Sequence, residues 1–194
     1  MGTFSLILAS AVWGVVHSWL ASHGFKDFAQ RTLGSAFMRW YRLAYNAFAV
    51  ISAIPIVILY KLLPDQPLYV IPAPFAFAML FIQGLAFVLL VIGVLQTGAF
   101  DFAGLYALID RNPKTDVLVT DGLYRYMRHP LYTAGLLFIW FSPVMTLNQL
   151  TLYATFTLYI LIGAYFEERK LLKDFGEAYA DYRSRTAMLI PKIF

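Results

Sequence analysis

Long apolar runs separated by short polar stretches set the pattern of this chain. The runs cover roughly residues 4–22, 43–63, 74–95, 131–147 and 150–166. A membrane-crossing helix needs about 20 mostly apolar residues at a rise of about 1.5 Å each. The pattern therefore predicts an all-α membrane protein with five transmembrane helices. The fourth and fifth runs are short and nearly contiguous, which predicts a tight antiparallel hairpin. Pro64, Pro67, Pro72 and Pro74 keep the connection between the second and third runs from being helical. Residues 99–110, AFDFAGLYALID, read as a short interfacial helix, and Asn112-Pro113 marks a turn after it.

Polar chemistry gathers in two stretches: 117–132, VLVTDGLYRYMRHPLY, and the tail 167–185, EERKLLKDFGEAYADYRSR. In the tail, Leu171, Leu172, Phe175, Tyr179 and Tyr182 recur at helical spacing opposite Lys173, Asp174, Glu177 and Asp181. This predicts a C-terminal amphipathic helix, too polar to span, packed over the cytoplasmic mouth of the bundle.

Composition confirms the class. Of 194 residues 60% are hydrophobic and 13% charged, against about a quarter charged in a soluble domain. No linker or internal repeat divides the chain, so residues 1–194 are expected to form a single domain. Lys26, Arg31, Arg39 and Arg42 lie in the first connection, Arg111, Lys114, Arg125 and Arg128 in the third, and many cations in the tail. By the positive-inside rule these three regions are cytoplasmic and the N-terminus is outside. The net charge of +4 sits beside apolar segments, which suits anionic membrane lipid and not nucleic acid. The absence of cysteine excludes disulfides, thiolate metal sites and a Cys nucleophile, and no metal is expected. Residues 4–20 lack a basic leader and are interrupted by Trp13, His17 and Trp19, so they read as a retained helix instead of a cleaved signal.

Within 117–132, Asp121-Gly122 is a turn and Pro130 suits the first position of a helix. A proline there disfavours helical geometry at His129, so the backbone N–H groups around Arg128 and His129 are expected to be open to a ligand carboxylate. Arg128 and His129 read either as a boundary pair snorkelling to headgroups or as part of a site. Glu167 and Glu168 read either as a solvated helix beginning or as site carboxylates. His17, inside the first run, is either a hydrogen-bonded structural histidine or functional. Tyr45 and Asn46 follow Arg42 by three and four residues, so one helix face can present all three to an acceptor cavity. Trp40, Trp140 and Tyr153 read as interface belts and packing.

The pattern Gly122-x-Tyr124-x-x-x-Arg128-His129-Pro130-x-Tyr132, followed by Glu167-Glu168 and by Phe175-Gly176-x-x-Tyr179-x-x-Tyr182, resembles the integral-membrane methyltransferases of the isoprenylcysteine carboxyl methyltransferase and phospholipid methyltransferase group. His17-Ser18, Phe25-Lys26, Phe100-Asp101-x-x-Gly104-Leu105 and Phe141-Ser142-Pro143-x-Met145-Thr146 are similar to the bacterial methanethiol S-methyltransferase branch. The resemblance implies a bacterial inner-membrane enzyme with S-adenosylmethionine under the C-terminal helix, on the cytoplasmic face. It implies cofactor contacts from Val117, Leu118, Val119, Tyr124, His129, Pro130, Tyr132 and Glu167, and a catalytic set of Arg128, His129 and Glu168. His17, Arg42, Tyr45, Asn46 and Asp101 would face a small or lipid-soluble methyl acceptor, foremost a thiol. The alternatives are a prenylcysteine carboxylate, a phospholipid amine, or a non-catalytic membrane binding protein on the same fold. Carboxyl-methylating relatives place an arginine one helical turn before the glutamate pair, where this chain has Gly163.

Overall fold

A computed structural model describes residues 2–105, 108 and 117–191, with only the backbone at Asp101. Its elements are α1 (Gly2–Ala21), α2 (His23–Leu62), β1 (Pro67–Val70), α3 (Phe75–Gln96), α4 (Ala99–Ala103), a 3-10 turn (Gly122–Arg125), α5 (Pro130–Trp140), β2 (Val144–Thr146), α6 (Leu147–Phe175) and α7 (Glu177–Arg185). Four of these, α1, α2, α3 and α6, are long and apolar enough to cross a membrane. The chain divides into two compact units, one of Met1–Gln66, Gly98–Thr115 and Leu147–Thr155, the other of Pro67–Thr97, Asp116–Thr146 and Phe156–Phe194.

In the first unit α1 and α2 pack together, and hydrogen bonds join polar groups that they carry in apolar surroundings. The Trp13 indole donates to Ser52 Oγ at 3.0 Å, and the Tyr41 hydroxyl takes up the Leu20 carbonyl in the last turn of α1 at 2.5 Å. Ser22 caps α2 by accepting from the Phe25 N–H. The helix begins there, twenty residues before the expected span, so the first connection is itself helical. Gly34, at φ 80° and ψ 173°, breaks it into two pieces. Buried Asn148 donates to the Leu63 and Pro64 carbonyls while its own N–H meets Asp65 Oδ1, which closes the end of α2 onto the start of α6.

The second unit corrects the expectation for the fourth run. Its helix, α5, covers only 11 residues and ends at Trp140. The chain turns at residues 141–143, and β2 then pairs antiparallel with β1. There is thus no helical span over 131–147, and the principal partner of α5 is α3. Gly93 allows the approach: a Cβ there would lie 2.7 Å from Leu131 Cδ2. Further along, the Gln83 amide donates to the Phe138 carbonyl at 2.6 Å. Segment 130–146 therefore runs antiparallel along α3, from Gly93 near its end to β1 just before its start.

The C-terminal helix differs as well. Glu167 and Glu168 are not its beginning but lie inside α6, which continues to Phe175. Gly176, at φ 55°, breaks the chain, and α7 follows as a separate helix of nine residues. The expected helix over 99–110 is formed at Ala99–Ala103, and its later part, with the Asn112-Pro113 turn, lies largely outside the described residues.

Candidate functional site

The RHP stretch and the glutamate pair meet within the second unit. Arg128 points its Nε and Nη2 at Glu168 Oε1, both at 2.6 Å, and its Nη1 at the Arg183 and Thr186 carbonyls where α7 ends. The Arg183 Nε lies 3.5 Å from Glu168 Oε2. Arg128 and Glu168 are both buried, so each neutralises a charge that burial would otherwise penalise heavily. Beside them the Tyr132 hydroxyl donates to Glu167 Oε2 at 2.7 Å, and the His129 ring stacks on Tyr132 with centroids 5.2 Å apart. His129 Nδ1 is 3.7 Å from Glu167 Oε2 and its Nε2 is 3.4 Å from Glu168 Oε1. Unlike its neighbour, the Glu167 side chain is 43% exposed.

Local sequence places these groups. Gly122 adopts φ 62° in a spot where a Cβ would collide with Gln96, whose Oε1 accepts the Leu123 N–H. Pro130 occupies the first turn of α5, leaving His129 as its non-helical N-cap. The expectation of open donors at Arg128 and His129 is not met. The Arg128 N–H donates to the Ala187 carbonyl at 2.8 Å and the His129 N–H to the Met188 carbonyl at 3.1 Å. The Thr133 hydroxyl donates to the Leu189 carbonyl. The chain after α7 thus lies as a strap along residues 127–133, with a parallel bridge between Met127 and Ala187. Its carbonyls fill donor sites that the sequence leaves free.

Burial holds His129 below the ordinary imidazole range, against the pull of Glu167 and Glu168 towards protonation. Burial also pushes the Tyr124 phenol up to about 12, helped by the Glu167 carboxylate and Tyr182. Tyr179 and Tyr182 rise to about 12 mainly through burial. At neutral pH the phenols of Tyr124, Tyr179 and Tyr182 and the imidazole of His129 are therefore neutral.

Of the cofactor contacts implied by the resemblance, Tyr124, His129, Pro130, Tyr132 and Glu167 belong to this cluster or its helix end, and Val117, Leu118 and Val119 lie in an irregular segment ahead of the 3-10 turn. The residues assigned to the acceptor gather in the first unit. His17 Nε2 is 2.5 Å from the Tyr45 hydroxyl, and Trp13 stacks on His17 at 4.7 Å. Asn46 donates to the Phe102 carbonyl at 2.8 Å, which ties α2 to α4 beside Arg42. The side chain of Asp101 lies outside the described residues. Sequence reasoning missed Tyr182, whose hydroxyl fixes the Tyr124 carbonyl at 2.6 Å, together with Arg183, Thr186 and the strap. The spacing of Tyr179 and Tyr182 marked a buried face, but bonds to main-chain carbonyls leave no sequence signature.

Residues 5–191 match the family described as NnrU protein. A methanethiol S-methyltransferase from Mycobacterium tuberculosis is 30% identical over 189 residues, 93% of this chain and 74% of that protein. Methanethiol S-methyltransferase 1 from Bradyrhizobium diazoefficiens is 29% identical over 95% of this chain, which spans 65% of that relative's length. A protein-S-isoprenylcysteine O-methyltransferase from Schizosaccharomyces pombe is 32% identical over 95 residues, 45% of this chain and 39% of that protein. No solved structure matches the chain.

Proposed function

This chain belongs to the NnrU protein family, and we propose that it is a membrane-embedded methyltransferase carrying a methyl group from S-adenosylmethionine to the sulfur of a small thiol. The observation that carries this reading is the meeting of Arg128-His129-Pro130 with Glu167-Glu168, about 40 residues apart, in a chain related over nearly its whole length to methanethiol S-methyltransferases.

The residues present fit such a cofactor. Glu167 keeps an exposed carboxylate for the ammonium or ribose hydroxyls, with Tyr132 setting its direction. Tyr124, in the field of the Glu167 carboxylate, and residues 117–119 ahead of it are assigned as further contacts in this reading. Bound S-adenosylmethionine supplies a methyl group on a positively charged sulfur, and the thiol sulfur displaces it in line, so positioning does most of the work. The acceptor must also lose its proton. His129, kept neutral by burial, can take that proton at Nε2, where Glu168 Oε1 stands 3.4 Å away to stabilise the charge. Arg128 holds Glu168 in place. A carboxylate acceptor fits less well: Gly163 provides no cation, and a Cβ added there would touch nothing within 4 Å.

The chain also crosses the bilayer five times in this reading, in a bacterial inner membrane, with the N-terminus outside and the C-terminus in the cytoplasm. In the fourth crossing α5 supplies about 16 Å, and the chain continues through residues 141–143 into β2, which adds about 10 Å.

Calorimetric titration of detergent-solubilised protein with S-adenosylmethionine and S-adenosylhomocysteine, followed by methylation assays on methanethiol and longer thiols, tests the function. Both nucleosides should bind, and Glu167→Ala should weaken each by about tenfold or more through loss of a charged hydrogen bond. Undiminished binding by that variant would remove Glu167 from the site. Binding without methylation of any thiol would leave a non-catalytic binding protein.

A further inference from the structure

Tyr179 is the largest side chain the fold buries almost completely, at 1% exposure, yet its hydroxyl makes no hydrogen bond among the described residues. It lies in the field of Glu168, Arg128 and Glu167, inside the cluster described above. The Arg128 guanidinium can reach it only as a donor, and no described residue accepts the phenolic proton. The neighbouring tyrosine of α7 shows the contrast: Tyr182 is also buried, and its hydroxyl is spent on the Tyr124 carbonyl. A second buried polar atom of the cluster, His129 Nε2, also lacks a hydrogen bond and borders Glu168. Buried polar groups are nearly always satisfied, so two such atoms in one cluster mark a place completed by something other than this chain.

Building on the methyltransferase reading, we propose that Tyr179 is a ligand-binding residue whose hydroxyl donates to the carboxylate at the amino-acid end of the bound methyl donor. The donor set favours that end. The backbone N–H groups of Arg128 and His129, which would otherwise receive a carboxylate at the start of α5, already serve the Ala187 and Met188 carbonyls. The Arg128 guanidinium serves Glu168 and two carbonyls. Tyr179 retains a proton to give, and a phenol pushed up to about 12 stays neutral and donating across the working pH range. Admission of the ligand needs movement of α7, which a single glycine at φ 55°, Gly176, joins to α6.

Tyr179→Phe tests this because a purely structural role makes the opposite prediction. Removing an unpartnered buried hydroxyl should leave the ligand-free melting temperature unchanged or raise it, whereas Tyr182→Phe, which loses a real bond, should lower it. Binding of S-adenosylhomocysteine to Tyr179→Phe should weaken about tenfold, and binding of 5′-methylthioadenosine, which lacks the amino-acid end, should not change. Equal binding of S-adenosylhomocysteine by both proteins overturns the proposal, as does an equal loss for the two nucleosides. A melting temperature lowered as far as in Tyr182→Phe also overturns it, by showing that the hydroxyl has a structural partner. If the wild-type protein binds neither S-adenosylmethionine nor S-adenosylhomocysteine, the methyltransferase reading itself has failed, and this assignment falls with it.

Discussion

His129 stands between opposed forces. Glu167 and Glu168 would favour its charged form, while burial at 6% exposure favours the neutral one and prevails. A histidine whose folded-state value lies below its unfolded one binds fewer protons when folded, so stability is fully present above about pH 6.5 and declines as the pH falls below it. The melting temperature of wild-type protein, followed from pH 8 to pH 5, should therefore drop more steeply below pH 6.5 than that of His129→Asn. Parallel curves for the two proteins would show that the imidazole is not held neutral. That His129 and the glutamates belonged together was legible from their motifs. That Glu168 is locked to Arg128 while Glu167 remains half open was not, because two adjacent residues of one helix differ only in what packs against them.

Among the elements, α4 depends on one glycine. Gly104 has φ 77°, and a Cβ there would stand 2.5 Å from the Leu43 N and 2.8 Å from the Arg42 carbonyl carbon. Both are backbone atoms of α2 and cannot rotate away. Gly104→Ala should cost about 2–3 kcal/mol, from backbone strain together with displacement of the Asn46 bond to Phe102. Gly84→Ala in α3, where a Cβ meets nothing within 4 Å, should be neutral or mildly stabilising. Thermal unfolding of the two variants in detergent checks the contrast, and similar melting temperatures would deny the close approach. Apolar runs placed α1, α3 and the membrane portions of α2 and α6 nearly where they form. They misjudged α5, because apolarity reports depth in the membrane and does not distinguish helix from an extended strand paired with β1.

For the whole molecule, the antiparallel path of 130–146 along α3 makes the number of crossings an experimental question independent of helix length. The chain has no cysteine, so single cysteines introduced at Gln66, Asp121 and Ser184 each give a unique thiol. With five crossings, an impermeant maleimide should label Gln66→Cys in intact cells and reach Asp121→Cys and Ser184→Cys only after permeabilisation. Labelling of Ser184→Cys in intact cells would mean that the fourth run does not cross. By itself the sequence determined the membrane class, the clustering of cations in alternate connections and the two polar motifs that meet at the candidate site. Those follow from side-chain chemistry and composition, which the chain carries whatever its fold. Only the tertiary structure decided that α5 stops at Trp140, that the strap after α7 takes the backbone donors of Arg128 and His129, and that Tyr179 is buried without an acceptor. These outcomes rest on main-chain hydrogen bonds and packing between distant segments, and a backbone N–H or carbonyl is the same group at nearly every position.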